Sequence, residues 1–429
     1  MSRGLGDVYK RQDIGRVIYV QVSSSETCTP SGIAALHDNS DKTYAAEHAI
    51  NGMYYDNLEH LGYAVPESFG LKNFKNTADI EINILRWWQH RIFRNSGVSA
   101  DGTEIYLDTD WLTSLQSTAY SDRITWIENA YEFIDQPGEW YLNRSESKLY
   151  YKPDGSMDGK SATLPVTEQL LVFEGTENIT FDGVKFEDTS WLTPNEIGYN
   201  DAQSGTYAQH NGVWGDVPGA IETHAAKNIT ITNSELCNLG GGGIRIGNGS
   251  SDCAITNSAI HDISSSGIFI GNNTGHNHGY CDPGTDVTGV VVRNNYITRT
   301  GLDIFGSSAI CALYTSDTVI DHNEVCYTTY TGISLGWGWD WKNAPCSGNN
   351  TVSNNYIHDT GKTIHDGGSF YSLGLQEGTK VFGNYLHHHS DGLYDKDGGL
   401  YTDEGSTGME LYNNCLLYTS PSPRDMRRS

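Results

Sequence analysis

From about residue 170 onward one pattern keeps returning. An apolar pair is followed by a polar residue, one or two asparagines, an aliphatic residue and a polar turn, and then by glycine–aliphatic–x–aliphatic–glycine. The copies read NITITNSELCNLGGGGIRIG (228–247), CAITNSAIHDISSSGIFIG (253–271), VVVRNNYITRTGLDIFGSSAICAL (290–313), TVIDHNEVCYTTYTGISLG (318–336), TVSNNYIHDTGKTIHDGGSFYSLG (351–374) and KVFGNYLHHHSDGLYDKDGGLYTDEG (380–405), with a looser copy at 178–191. Aligned on the aliphatic residue after the asparagine they give Leu236, Ile260, Ile297, Val325, Ile357 and Leu386, separated by 24, 37, 28, 32 and 29 residues. Within each copy apolar and polar residues alternate with a period of two, which is a strand signal; no 3.6-residue stripe calls for helices. A unit of this length, holding two or three short strands and Gly/Asn turns, is one coil of a parallel β-helix, with coils stacked ~4.8 Å apart. Leucine-rich repeats need a different spacing, and propellers need antiparallel blades. The pattern therefore predicts an all-β chain whose residues 166–414 form a right-handed parallel β-helix, a solenoid. The recurrent asparagine fits a turn that tolerates left-handed backbone and bonds the amide of the next coil.

Residues 13–165 lack the repeat. RVIYVQV (16–22), IEINILRWWQHRIFR (80–94) and YEFIDQPGEWYLNRSESKLYYKP (131–153) read as strands and hairpins, and AEHAINGM (46–53) as a short helix. This region is predicted as a β-rich N-terminal module. The 26 Tyr, 10 Trp and 11 Phe in 429 residues are enough for a sizeable core and argue against disorder. No apolar run approaches the ~20 residues of a spanning helix. A formal charge of −26 repels phosphate backbones, so nucleic acid is not an expected partner.

The two ends differ from the rest. MSRGLGDVYKRQ (1–12) and CLLYTSPSPRDMRRS (415–429) each carry a net +2 in a chain of −26, which leaves −30 between them. Both strings resemble translated sequencing-adapter read-through at the ends of metagenomic reading frames. They are expected to lie outside the fold, with the protein proper an internal fragment whose signal peptide is missing. Of the eight cysteines, Cys237, Cys253, Cys311 and Cys326 sit in strand-like stretches as small buried hydrophobes, and Cys281 and Cys346 flank loops and are able to pair. No CxxC pair or Cys/His spacing along the chain suggests zinc, so neither a metal nor any other cofactor is expected. The NxS/T asparagines Asn178, Asn228 and Asn248 read as turn residues.

A resemblance adds to this reading. The strings ENAYEFIDQPGEWYLNRSESKLYYKP (128–153), EQLLVFEGTENITFDGVKFEDTSW (168–191), YTGISLGWGWDW (330–341), IHDGGSFYSLG (364–374) and GGLYTDEGSTG (398–408) resemble secreted polysaccharide-degrading β-helix proteins of the glycoside hydrolase family 141 type, α-fucosidase/xylanase-like. The likeness spans about residues 16–414. Departures are Ser369-Phe370, where the group prefers Gly-Ile, and an end one coil after the motif. The resemblance implies a secreted, periplasmic or cell-surface glycosidase, acting as a monomer on a plant or algal polysaccharide or its oligosaccharides.

Glycoside hydrolysis needs two carboxyl groups across the bond. The Asp-Gly-rich coils offer Asp366, Asp397, Asp403 and Glu404, and the resemblance points to Asp366 and Asp403, then Glu404. Aligning DGGSFYSLG on DGGLYTDEG stacks Asp366 over Asp397 and sets Asp403 six residues along the strand, about 20 Å away if fully extended. That is too far for a pair, so either the strand bends at its glycines or the pair is Asp366 with Asp397; equally, Asp366 and Asp397 are able to serve only as turn formers. His365 is placed to tune Asp366 or bind a hydroxyl. Trp337, Trp339 and Trp341 alternate and so share a strand face, expected outward as a sugar-stacking platform with Tyr401 as a further subsite residue. Trp87, Trp88 and His90 are placed to roof the site or pack its core. Glu222 and His224 are weaker candidates, His261 and His358 share one repeat position with a turn role, and His387–His389 read as a solvated run. A lyase would need a Lys, Arg or Tyr base, and Lys396 is the only nearby cation; the strings GHG and RIK of polygalacturonases are missing. Three readings remain: hydrolase, non-catalytic glycan binder or adhesin, and lyase.

Overall fold

In the computed structural model the described residues are 18–19, 34–35, 62–65, 67–107, 126–208, 214–271, 285–338, 342, 346–390 and 398–417. From Leu171 on, the chain winds through three parallel sheets of eight strands each, so that every sheet takes one strand from each of eight coils. The first sheet starts at Leu171–Glu174 and ends at Gly368–Ser372 and Gly398–Thr402; the second starts at Glu177–Asp182; the third starts at Lys185–Thr189.

The six anchors align in the third sheet as the repeat predicts. Leu236, Ile260, Ile297, Val325, Ile357 and Leu386 stand in direct register and are essentially buried. In the second sheet Ile231, Ile255, Val292, Ile320, Val352 and Val381 form a matching row, and in the first Ile221, Ile244, Ile268, Ile310, Ile333 and Phe370 form another. The three rows merge into one continuous core. Each fully buried aliphatic side chain contributes about 1.5–3 kcal/mol relative to exposure.

The turn between the second and third sheets uses its two asparagines differently. The first of each pair takes the left-handed conformation, as at Asn294 (φ 57°) and Asn354 (φ 54°). The second is buried and builds a ladder. Asn323, Asn355 and Asn384 each accept the backbone N–H and the side-chain amide of the residue one coil earlier, at 2.9–3.0 Å. Asn178, Asn228 and Asn248 also have positive φ; Asn248 lies in a turn, whereas Asn178 and Asn228 are the second residues of strands of the second sheet.

Two boundaries differ from those read in the sequence. Cys415–Leu417, placed outside the fold, is the last strand of the third sheet; Leu416 stands in register with Leu386 and packs against the core. The N-terminal module does not stop at residue 165. Between the first and second coils the chain leaves the solenoid, forms the short helix Thr193–Ile197, and lays strands Tyr199–Gln203, Thr206–Ala208 and Trp214–Asp216 onto the module's antiparallel sheet. Tyr199 pairs with Ile92 of the hairpin Glu81–Arg86/Gln89–Val98, whose turn is Trp87–Trp88. The hairpin Trp140–Asn143/Lys148–Tyr151 forms as the sequence suggests. AEHAINGM lies outside the described residues.

Candidate active site

Two residues apart on a strand, side chains face the same way, so each solenoid strand turns alternate residues outward. On the first sheet the outward row is Glu222, Arg245, Phe269, Cys311, Ser334, Tyr371 and Tyr401. Its early part is covered. Arg245 pairs with Asp216 of the inserted hairpin and, at 2.6 Å, with Glu222, which also accepts a 2.5 Å bond from Gln169 and lies 3.3 Å from His224. Glu222 and His224 thus belong to a buried structural ion cluster. Trp337 is 5 % exposed and packs with Phe269, Cys311, Leu313 and Tyr314. This corrects the platform expectation for Trp337: its ring completes a hydrophobic cluster and presents no face to a sugar. Trp339 and Trp341 lie outside the described residues.

The row ends in buried Tyr371 and half-buried Tyr401, and there the candidate carboxylates appear. Tyr371 donates to Asp403 Oδ2 at 2.6 Å, and Tyr401 donates to Asp366 Oδ1 at 3.1 Å. The two tyrosines are register partners, with rings 5.4 Å apart and perpendicular. Asp366, Asp403 and Tyr401 are half-buried. Beneath them Gln203, from the inserted hairpin, donates its amide to Tyr371 at 3.1 Å and to Tyr330 at 3.4 Å, and Tyr330 donates on to the Asp366 carbonyl at 2.9 Å. One hydrogen-bonded chain therefore connects Asp366 to Asp403 through Tyr330, Gln203 and Tyr371. Burial raises the Tyr371 hydroxyl well above the usual phenol range, helped by Tyr330 and Asp403, and burial likewise raises Tyr330. Both phenols stay protonated and act as fixed donors.

The register also bears on the spacing of the carboxylates. The strands pair Gly368 with Gly398 and Phe370 with Leu400, a step of 30 residues, where aligning the two Asp-Gly-Gly strings gives a step of 31. Asp397 itself lies outside the described residues. Asp366 sits on left-handed backbone (φ 64°), so the chain bends there and is not extended. Gly367 makes the bend workable: a Cβ there would fall 2.6 Å from Thr331 Oγ1 and 2.7 Å from the Tyr330 ring. Glu404 is exposed, and among the described residues its carboxylate has no hydrogen bond. His365 donates its backbone N–H to the Trp87 carbonyl at 2.7 Å, so the module's hairpin tip meets the loop that carries Asp366, and Trp87 is exposed there. Trp88 donates to the Ala202 carbonyl. His90 is fully buried, stacked on Phe305 and bonded to Asn83, and is a core residue.

Sequence reasoning missed Gln203, Tyr330, Tyr371 and Asp201. Asp201 accepts the His90 N–H at 3.1 Å and has its carboxyl pushed up to about 8 by burial. The only signal in the sequence was the aromatic at the outward position of each late coil. Cys237, Cys253, Cys311 and Cys326 are buried free thiols, as expected. Cys346 is disulfide-bonded, and Cys281 lies outside the described residues.

A family model described as "Right handed beta helix region" matches residues 219–416. No curated protein matches the chain. A solved structure described as a glycoside hydrolase superposes with a TM-score of 0.71 at 23 % identity, over 86 % of this chain and 72 % of that one. PfbA, a surface adhesin of Streptococcus pneumoniae, gives 0.41 at 17 % identity, over 60 % of this chain and 65 % of that one. The coil topology and the family-model match define the molecule as an all-β, right-handed parallel β-helix. No helix among the described residues is long and apolar enough to cross a membrane.

Proposed function

We propose that the protein is a glycoside hydrolase that cleaves a plant or algal polysaccharide with Asp366 and Asp403. The observation that carries this is the interlocked Asp366–Tyr401 and Tyr371–Asp403 arrangement, which ties two half-buried carboxylates to neighbouring tyrosines of one row. Tyr371 is unable to ionise near neutral pH, so its O–H always points at Asp403 Oδ2. Each carboxylate thus has its own phenol donor, and between them Asp366 and Asp403 supply the acid and the base or nucleophile that the two-carboxyl mechanism requires. Tyr401 and His365 flank the pair as substrate contacts, and Trp87 on the module's hairpin borders it. A lyase gains less support, because Tyr371 is buried with its hydroxyl committed to Asp403 and so is poorly placed to act as a base. The same proposal places the protein outside the cytoplasm as a monomer; the Cys346 disulfide suits an oxidising compartment.

A second reading has its own support. Tyr296, Tyr356 and Tyr385 are exposed on the third sheet, and the Tyr356 and Tyr385 rings are parallel, 5.4 Å apart. Such a row suits glycan binding without chemistry.

Incubation with a polysaccharide panel and mass spectrometry of the products separates these readings. New saturated reducing sugars are expected, with turnover lowered at least about a thousand-fold in Asp403→Asn and in Asp366→Asn, equivalent to about 4 kcal/mol of barrier. Glu404→Gln is expected to stay within several-fold. Unsaturated uronide ends would replace the hydrolase with a lyase. Retained binding without product, lost in Tyr356→Ala, would establish the binding reading.

A further inference from the structure

On the third sheet, away from the carboxyl pair, one arrangement of side chains occurs twice. A strand supplies Glu-x-Cys, and the next coil supplies a histidine in register with the cysteine. Glu235 and Cys237 meet His261, and Glu324 and Cys326 meet His358. In each cluster one carboxylate oxygen, the thiol sulfur and one imidazole nitrogen lie within 4.8 Å of one another. We propose that Glu324, Cys326 and His358 bind a divalent transition metal of the Zn²⁺ class, and that Glu235, Cys237 and His261 form a second, weaker copy.

The chemistry of the donors supports the class of ion. Sulfur, imidazole and carboxylate together suit Zn²⁺ or Co²⁺ and suit Ca²⁺ or Mg²⁺ poorly. With bonds of about 2.0–2.3 Å, tetrahedral ligand atoms sit roughly 3.3–3.8 Å apart. The imidazole Nε2 to carboxylate separations already match, 3.4 Å for His358–Glu324 and 3.2 Å for His261–Glu235.

The outer contacts point the same way. In both clusters Nδ1 of the histidine is engaged by the carboxylate of the following residue, Asp359 at 2.9 Å and Asp262 at 2.7 Å. Each of these aspartates sits on left-handed backbone, which turns its side chain back to the ring. A carboxylate on Nδ1 orients the ring so that Nε2 faces the glutamate carboxylate of the preceding coil, where an ion would replace the Nε2–carboxylate hydrogen bond; metal-bound histidines commonly show such a carboxylate on their other nitrogen. Glu324 also lines an open surface depression with Tyr296 and Tyr356, so its carboxylate is reached from solvent.

The two copies are not equal. Beside the first, Lys185 pairs with Glu187, whose carboxylate is 4.0 Å from Cys237 Sγ, and Arg299 reaches within 3.3 Å of His261. These cations oppose a bound metal. Around the second, Lys362 holds Asp359 at 3.0 Å much as Arg299 holds Asp262, but Cys326 and His358 are both buried, and His387 stacks on His358 from the next coil.

Full-length protein stripped with a chelator and titrated with Co²⁺ tests this directly. The expected result is a sulfur-to-cobalt charge-transfer band that Zn²⁺ displaces, that loses at least half its intensity in Cys326→Ser, and whose remainder disappears when Cys237→Ser is added. Asp359→Asn keeps all three ligands and is expected to weaken binding about 10–100-fold. It also guards against misfolding of the cysteine variant, since it leaves the buried thiol in place. No such band in the wild type, a band that Cys326→Ser leaves unchanged, or equal affinity in Asp359→Asn would overturn the proposal.

Discussion

Asp201 shows how a single residue ties stability to pH. It is 2 % exposed, with its carboxyl between the His90 N–H and the close approach of Gly306. Burial lifts its folded pKa from 3.8 to about 8. Between those values the folded chain keeps a proton that the unfolded chain has released. The contribution is therefore fully favourable below about pH 4, falls by ~1.4 kcal/mol per pH unit as pH rises, and levels off above about 8. Asp201→Asn keeps the shape and removes the titration. Urea midpoints measured from pH 5 to 8.5 are expected to fall in the wild type relative to the variant. Parallel curves would refute the assignment. Nothing in the string DAQSG marks this aspartate, because its environment is made by the hairpin docking on Gly306 far along the chain.

At the scale of elements, the repeat was legible because inward aliphatic residues record the register directly: the six anchors spaced in the sequence are the six that stack in the third sheet. The asparagine pairs were legible only as one feature, since identical side chains serve two purposes there. Asn354 takes the left-handed turn, whereas Asn355 is buried and bonds to Asn323, Ile320 and Asn384. Asn355→Ala is expected to cost about 3 kcal/mol by leaving several buried partners unpaired. Asn354→Gly is expected to change stability by only a few tenths of a kcal/mol, because glycine accepts positive φ. Chemical denaturation of the two variants checks the contrast; similar losses would mean that the ladder is not what holds this turn. The Glu/Cys/His clusters were invisible along the chain for a related reason. Their ligands come from successive coils, 24 and 32 residues apart at the Cys–His step, and only the coil register brings them together.

For the molecule as a whole, the inserted hairpin 199–216 matters most. It belongs to the module's sheet by its hydrogen bonds and to the solenoid by its side chains, since Gln203 reaches Tyr330 and Tyr371 while Asp201 meets Gly306. The sequence placed the module entirely before residue 165 because the hairpin interrupts the repeat without resembling the N-terminal strands. The candidate site then depends on two parts of the chain: the carboxylates come from the late coils, and the amide that orients Tyr371 comes from the insertion. Gly306 is the place to separate them. A Cβ there would overlap the Asp201 carboxylate and lie 3.0 Å from the Trp88 carbonyl, and neither backbone nor buried carboxyl is free to give way. Gly306→Ala is therefore expected to loosen the module while the Ile/Val ladder holds the middle coils. Hydrogen exchange read by mass spectrometry should rise at 81–98 and 199–208 and stay unchanged at 254–263 and 319–326. If the hydrolase reading holds, turnover should fall with that loosening, because Tyr371 loses the Gln203 bond that orients it toward Asp403. A uniform rise in exchange would mean that Gly306 supports the solenoid itself; no rise in the module would mean that Asp201 finds room elsewhere and that the docking does not pass through this contact.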